Sequence, residues 1–410
     1  MISVCIPTIR LEKAARCIDA VMNEGIKVEV LADEDIDRIG CPKMLKRLVE
    51  KSTGTMVMFL GDDTIPKPGF IKAALKDMAT LPDGWGVVGL NSQKSRHAAH
   101  FLADKRMLRL LPDGDFFNTA YRHCFCDHEL SDIAEENGRF IFSDDSVIVH
   151  DHPIFTKEPG DADYLRVYDQ AYWKHDQRLY IKRKRERLNK FAIGFPLVDP
   201  MIRVNFFISF SCMEKPSNYA FLVPEYPHGR FAETLAEARN SLVEQAQWEG
   251  CSHLFMMDTD QVYPADTLTK LRSHGKDICG VLVQRRYPPF DPIFLRREKG
   301  GGRFYAIPDE EMFSGKLVEI DATGTGALLF NMAIFEKIEE PWFKVEVNPE
   351  GRTGEDVYFC MKAKEAGFRI FVDTSIEVDH LTTIAINRSL YEMYKLFNKK
   401  GGQQDANSSR

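Results

Sequence analysis

"HLFMMDTDQVYP", His253–Pro264, is the stretch on which the reading of this chain turns. Its apolar start has the length and composition of a buried strand, and it runs directly into Asp258-Thr259-Asp260. In a parallel α/β sheet, ligands bind at the carboxyl ends of strands, and this is such an end. Alternation along an extended chain sends Asp258 and Asp260 to one side. Two carboxylates so close repel unless a cation or a proton stands between them. A hard divalent ion, Mg²⁺ or Mn²⁺, satisfies such a pair. A turn or helix-capping role ahead of Pro264 is the competing explanation.

The flanking sequence supplies the context. "NYAFLVPEYP" reads as a strand, "FAETLAEARNSLVEQAQWEG" as a long amphipathic helix, "ADTLTKLRSHG" as a helix and "DICGVLVQRR" as a further strand. A looser version of the scheme comes earlier. "ISVCIPT" is a strand ending at a turn, followed by a helix closed by Gly25 and the strand "KVEVLAD". The helix "CPKMLKRLVEKSTG" then leads into "MVMFLGDDTIP", where Asp62 and Asp63 crown a strand. Alternating strands and helices with short connections predict a parallel, doubly wound sheet in each half. A chain of 410 residues exceeds the size at which one core usually stops growing, so two domains are the natural division. Boundaries are expected at 1–180 and 216–396, with a basic and apolar linker over 181–215 and a disordered polar tail over 397–410.

Bulk properties exclude several classes. A net charge of −7 argues against a general nucleic-acid binder, although Arg178–Arg187 is a local basic run. The run reads first as a solvated helix at a domain boundary. Nine scattered cysteines without paired ligand spacing point to reduced thiols and a cytoplasmic setting. The N-terminus has no signal-peptide pattern, and the apolar stretch "VNFFISFSCM" is too short to span a bilayer.

Downstream of Asp260 the chain adds "EIDATGTGALLF", in which paired glycines allow close backbone approach, and then "TGEDVYFCMKAKEAGFRIFVDTSIEVDH". Glu355 and Asp356 open a helix there, and His380 ends the following extended run. In this order the motifs resemble a GT-A glycosyltransferase of the family 2 type, over about Asn218–His380. The resemblance implies two tandem GT-A (Rossmann-like, nucleotide-diphospho-sugar transferase) α/β domains, each a mixed, mainly parallel sheet flanked by helices. It also implies a nucleotide-sugar donor such as a UDP- or GDP-sugar, with Mn²⁺ or Mg²⁺.

Carried onto these positions, the resemblance makes Asp258, Asp260 and His380 metal ligands and Asp356, or Glu355, the general base. Pro224 and Tyr226 would border the nucleotide. Arg230, Arg239 and Arg285 (or Arg286) would meet its phosphates or base. In the first half, Pro7 and Thr8 of "CIPT", Asp33 and Lys46 match the family's donor contacts. Asp62, Asp63 and His150 match its metal site, with His152 competing, and Glu129 or Asp127 matches its base.

Both halves thus carry acid, helix, glycine, strand and histidine in one order. The first half lacks the Gly-Thr-Gly motif, which marks it as either a transferase for a different acceptor or a degenerate copy that only binds. The resemblance implies direct displacement with inversion, in which a base would deprotonate an acceptor hydroxyl while a metal would neutralise the departing diphosphate. Glycans and hydroxylated DNA bases both qualify as acceptor. A sugar-nucleotidyltransferase is the rival enzyme, and the absence of a Gly-rich loop after either opening strand argues against it.

Overall fold

The computed structural model describes residues 1–9, 11–93, 95–150, 165–166, 169–224, 232–298, 304–348, 351–384 and 386–401. The chain divides into two compact units, Met1–Arg187 and Leu188–Arg410.

The first unit runs β1 (Ile2–Thr8), α1 (Leu11–Met22), β2 (Val28–Glu34), α2 (Cys41–Lys51), β3 (Met56–Phe59), β4 (Thr64–Pro66), α3 (Phe70–Met78), β5 (Val87–Asn91), β6 (Phe101–Asp104), α4 (Cys126–Glu136), β7 (Phe140–His150) and α5 (Gln170–Leu188). Its strands form one sheet in the order β2-β1-β3-β6-β5-β7-β4. β1 is parallel to β2 and β3, and β5 is parallel to β7; β6 and β4 pair antiparallel with their neighbours. Alternation gives the sheet two apolar faces. Val4, Ile6, Met58 and Leu60 belong to one buried cluster; Cys5, Val57 and Phe59 belong to the other.

The second unit runs β8 (Lys190–Gly194), α6 (Val204–Cys212), β9 (Tyr219–Leu222), α7 (Leu235–Trp248), β10 (Cys251–Met257), β11 (Gln261–Val262), α8 (Thr267–Ser273) and β12 (Ile278–Val283). There follow β13 (Phe294–Arg297), β14 (Phe304–Ala306), α9 (Asp309–Met312), β15 (Leu317–Ile320), β16 (Ala322–Thr323), β17 (Ala327–Asn331), β18 (Glu346–Asn348), β19 (Gly351–Thr353), α10 (Glu355–Glu365), β20 (Ile370–His380) and α11 (Arg388–Gly401). The main path of its large sheet is β9-β8-β10-β17-β12-β20-β11, with β15 pairing to β20. Position by position this repeats the first sheet, including which neighbours are parallel and which antiparallel. The insertion β13–β16 is what the second copy adds between β12 and β17. Both units are mixed α/β sheets flanked by helices.

Three expectations need correction. The stretch 181–215 is not a linker. α5 continues to Leu188, and β8 then forms an interior strand whose Phe191, Ala192 and Ile193 are buried. "NYAFLVPEYP" is consequently not the opening strand of the second half. β9 is the edge strand, equivalent in place to β2, and is only partly buried. The Lys/Arg run ahead of β8 conceals an apolar segment only five residues long. At the other end, α11 extends to Gly401, while 402–410 lie outside the described residues. "VNFFISFSCM" is a short helix, α6, and no described helix is long and apolar enough to cross a membrane. All nine cysteines are free.

Candidate functional site

In the first unit the carboxyl ends of the strands open onto a cavity of about 830 Å³. Asp63, His100 and His150 meet on its wall, with one ligand atom from each lying within 4.8 Å of the others. Their backbone positions follow from pairing. Asp63 lies between β3 and β4; Thr64 of β4 faces His150 at the end of β7; His100 leads into β6, the antiparallel neighbour of β3. His150 Nε2 is 3.3 Å from Asp63 Oδ1. The His100 ring is buried, stacked on Phe59 at 5.8 Å and edge-on to His150 at 5.0 Å.

Gly61 keeps this corner open. A Cβ there would stand 2.8 Å from Asp63 Oδ1 and 3.1 Å from His100 Nε2. One carboxylate oxygen and two imidazole nitrogens, preset by ring packing, fit a divalent transition ion. Asp63 and His150 were legible in the sequence. His100 was missed, because its place beside Asp63 depends on a cross-strand pairing rather than on spacing. The trace it leaves is a histidine opening an apolar run, "HFLAD".

The other first-unit expectations divide. Pro7, Thr8 and Asp127 line the cavity. Asp62 lines it too, but its Oδ2 accepts from Thr8 Oγ1 (2.7 Å) and Ile9 N (3.3 Å), which fastens the turn after β1. Asp33 pairs with Lys51, and Lys46 pairs with Asp115 at 2.9 Å. Asp35 and Asp37 reach the cavity instead of Asp33. The buried Asp35 accepts from Ile39 N and Gly40 N, both at 2.8 Å, and so shapes the loop ahead of α2.

Glu129 is buried beneath α5, 2.7 Å from Arg183 Nε, and is not among the residues that line the cavity. Asp127 is the better placed acid. His128 Nδ1 lies 3.1 Å from its Oδ1. Burial alone would raise the Asp127 carboxyl, but the hydrogen bond and charge of His128 carry it below its ordinary value. It is therefore ionised at neutral pH. Burial works against the His128 imidazolium, and Asp127 more than compensates, raising its pKa. His152 lies outside the described residues.

The basic run is largely accounted for within its own unit. Arg183 pairs with Glu129 and Asp113, Lys184 with Asp132 at 3.0 Å, and Arg187 with Glu136 at 2.9 Å. These partners lie on α4 or close to it, so the run clamps α5 onto the acidic face of that helix. Earlier on α5, the buried Asp176 accepts from Arg122 N (3.0 Å), His123 N (2.8 Å) and Cys124 N (2.8 Å). Arg122, His123 and Cys124 all line the cavity. Asp176→Ala is expected to cost about 3 kcal/mol, because three N–H groups lose a charged acceptor. A urea titration of the full chain checks this; a midpoint unchanged from wild type contradicts it.

In the second unit the acidic strand end is organised around a guanidinium. α7 starts with a capping box, Thr234 Oγ1 accepting from Glu237 N and Glu237 Oε2 from Thr234 N. That cap sets the helix so that Arg239, only 1% exposed, points at the carboxylates. Arg239 Nη1 is 3.0 Å from Glu355, Nη2 is 3.2 Å from Asp258, and Asp356 follows at 3.8 Å. Asp260 is held by Arg286 at 2.6 Å and faces His380 Nε2 at 3.4 Å. His380 Nδ1 donates to the Gln284 carbonyl at 2.7 Å.

Asp260 and His380 thus come together as expected, but Asp258 does not join them. β10 ends at Met257 and a turn intervenes before β11, so strand alternation does not carry through to Asp260. Asp258 is also pressed against Gly326, where a Cβ would lie 2.2 Å from its Oδ2. Burial pushes the Asp258 carboxyl up to about 6; Arg239 opposes this, while Asp356 and Asp260 reinforce it. A divalent ion does not fit Asp258 as it stands.

Glu355 is engaged by Arg239, whereas Asp356 accepts from Thr325 Oγ1 of the Gly-Thr-Gly segment. Arg239 therefore pairs with carboxylates of its own chain. Arg285 faces Asp291 at 3.5 Å, and Pro224 follows the edge strand β9. Tyr226 and Arg230 lie outside the described residues.

No protein-family model matches the chain, and no curated protein matches it. Solved structures do show likeness over about half of it. A crystallised protein from STIV has 16% identity and a TM-score of 0.32, covering 47% of this chain and 86% of that one. The mannosyltransferase PcManGT from Pyrobaculum calidifontis, in complex with GDP-Man and Mn²⁺, has 16% identity and a TM-score of 0.31, covering 46% and 61%. TarS from S. aureus, in complex with UDP-GlcNAc, has 14% identity and a TM-score of 0.28, covering 50% and 65%. The chain spans less than two thirds of the length of the last two.

Proposed function

We propose that the chain is a glycosyltransferase with two tandem GT-A-like units, moving sugar from a nucleotide-sugar to an acceptor hydroxyl. The observation that carries this reading is the meeting of Asp63, His100 and His150 at the strand ends, on a cavity of about 830 Å³. The cavity is roomy enough for a cofactor-sized ligand, since such sites span about 300–1,000 Å³. Asp63, His100 and His150 would hold a divalent ion, which would supply a counter-charge to a departing diphosphate. Pro7 and Thr8 bound the donor side. Asp127, ionised and within the same cavity, takes the proton from the acceptor hydroxyl, and a single base acting by direct displacement inverts the anomeric centre. The nine free thiols suit a cytoplasmic setting.

The repeated strand order supports descent of both units from one plan. The balance of their roles is the reverse of the expectation from sequence. The first unit, without the Gly-Thr-Gly motif, has the ion-ready donor set. The second has its acids occupied by Arg239 and Arg286, which favours a binding copy over a second metal-dependent site. Its acceptor is more fittingly a glycan than DNA, because so much of the Lys/Arg run is paired with α4.

The test is hydrolysis of UDP-, GDP- and TDP-sugars by the full chain with Mn²⁺, alongside Asp63→Asn and Asp258→Asn. Turnover of at least one donor, lost in Asp63→Asn and retained in Asp258→Asn, is expected. No turnover of any donor, together with unchanged nucleotide binding in Asp63→Asn, overturns the reading.

A further inference from the structure

The two sheets can be aligned through their ladders. Thr64 faces His150 in the first unit, and Gln261 faces His380 in the second. Asp63 and Asp260, each one residue earlier, therefore correspond, and each lies close to its histidine. Counting back along the chain, Gly61 stands where the second unit has Asp258. On the neighbouring strand, Phe59 faces Phe101 and Met256 faces Leu328. One step upstream, His100 stands where the second unit has Ala327. Relative to its sister, the first unit lacks a carboxylate on the acidic strand and has an imidazole on the adjacent antiparallel strand.

The two differences are sterically linked. A Cβ at position 61 would crowd both Asp63 Oδ1 and His100 Nε2, so a side chain there and an inward imidazole at 100 compete for one space. The imidazole is held from both sides, stacked on Phe59 and edge-on to His150, and is buried.

We propose that His100 is a ligand of the first-unit ion, and that the resulting set of two imidazoles and one carboxylate selects a transition-metal ion such as Mn²⁺ or Co²⁺ over Mg²⁺. Mg²⁺ demands oxygen ligands and gives up water reluctantly, whereas imidazole nitrogen favours transition ions. Three protein ligands leave positions for oxygens of a bound phosphate. The inference deepens the proposed function by naming the ion, and it rests on that reading only for the identity of the phosphate ligand.

The experiment uses the metal alone, on the full chain in an Asp258→Asn/Asp260→Asn background that silences the second unit. Mn²⁺ binding is followed by electron paramagnetic resonance while Mg²⁺ is added. Expected are one bound Mn²⁺ that a roughly 100-fold excess of Mg²⁺ leaves in place, and nitrogen couplings from two imidazoles in the spin-echo spectrum. His100→Ala should weaken Mn²⁺ binding by about 10–100-fold and remove one nitrogen coupling. His100→Asn, closer in size, gives the same readout if the alanine variant does not fold. In Gly61→Asp/His100→Ala, Mg²⁺ should compete.

Displacement of Mn²⁺ by equimolar Mg²⁺, or two nitrogen couplings persisting in the His100 variants, overturns the proposal. Failure of donor turnover with these binding results intact overturns the transferase reading alone.

Discussion

Arg239→Met should lower the stability of the second unit by about 3–5 kcal/mol, the cost of leaving partly buried carboxylates without their cation. Both Asp258 and Glu355 lose a direct partner, and Asp356 loses a neighbour at 3.8 Å. The loss should depend on pH in a definite direction. Burial holds the Asp258 carboxyl at about 6 in the folded chain, above its ordinary 3.8, so the folded state binds that proton more tightly than the unfolded one. Its contribution to stability is therefore present below about 3.8 and is lost as pH rises through about 6. Without Arg239 the carboxyl rises further, and protonation relieves part of the damage. Urea titrations of wild type and Arg239→Met should differ less at pH 5 than at pH 8. Adding Asp258→Asn to Arg239→Met should recover part of the loss, giving a favourable coupling in a double-mutant cycle. A difference independent of pH, with no coupling, contradicts the ion-pair account.

Asp127→Asn should reduce kcat by about 10²–10⁴-fold, the range for losing a positioned general base, with donor KM little changed. Glu129→Gln is the informative contrast. Its carboxylate is buried against Arg183, so the change should act mainly on stability and leave kcat within a few-fold for protein that remains folded. The Asp127–His128 pair also has a pH signature. Asp127 sits below its ordinary 3.8, so its contribution is present above that value and is lost as pH falls through the depressed one. His128 sits above its ordinary 6.5, so its contribution is present below that value and is lost as pH rises through the elevated one. The stability gap between wild type and His128→Asn should be widest near pH 5 and narrow above pH 8. A gap that widens with alkalinity contradicts the pairing.

How much of this was legible in the sequence depends on the range of the contact. The strands that deliver Asp63 and Asp258, and the helices that begin near Asp127 and at Glu355, are local patterns of apolar period and glycine, and they stood where the sequence places them. His150 and His380 were legible because each ends the extended run that follows an acid-opened helix and its closing glycine, an order that occurs in both halves. Three things were not. β8 is five residues long and follows a run of lysines and arginines, so local composition pointed to a linker while Phe191 and Ile193 were bound for the core. His100 reaches its neighbours only through the β3–β6 ladder, whose register no spacing rule supplies. Arg239 was read as a contact for a ligand's phosphates. Whether a buried guanidinium meets a ligand or the chain's own acids depends on where Glu355, more than a hundred residues away, comes to rest.

The capping box at Thr234 has a consequence beyond helix stability. By fixing the start of α7 it anchors Arg239, and with it a positive charge that is covalently part of the polypeptide. Such a counter-charge cannot be chelated, diluted away or exchanged for another ion, and a guanidinium does not lose its proton in the physiological range. Electrostatic balance in the second unit is thus insulated from the supply of metal in the surroundings. On the proposed reading, the first unit, with its open corner at Gly61, is left answerable to that supply.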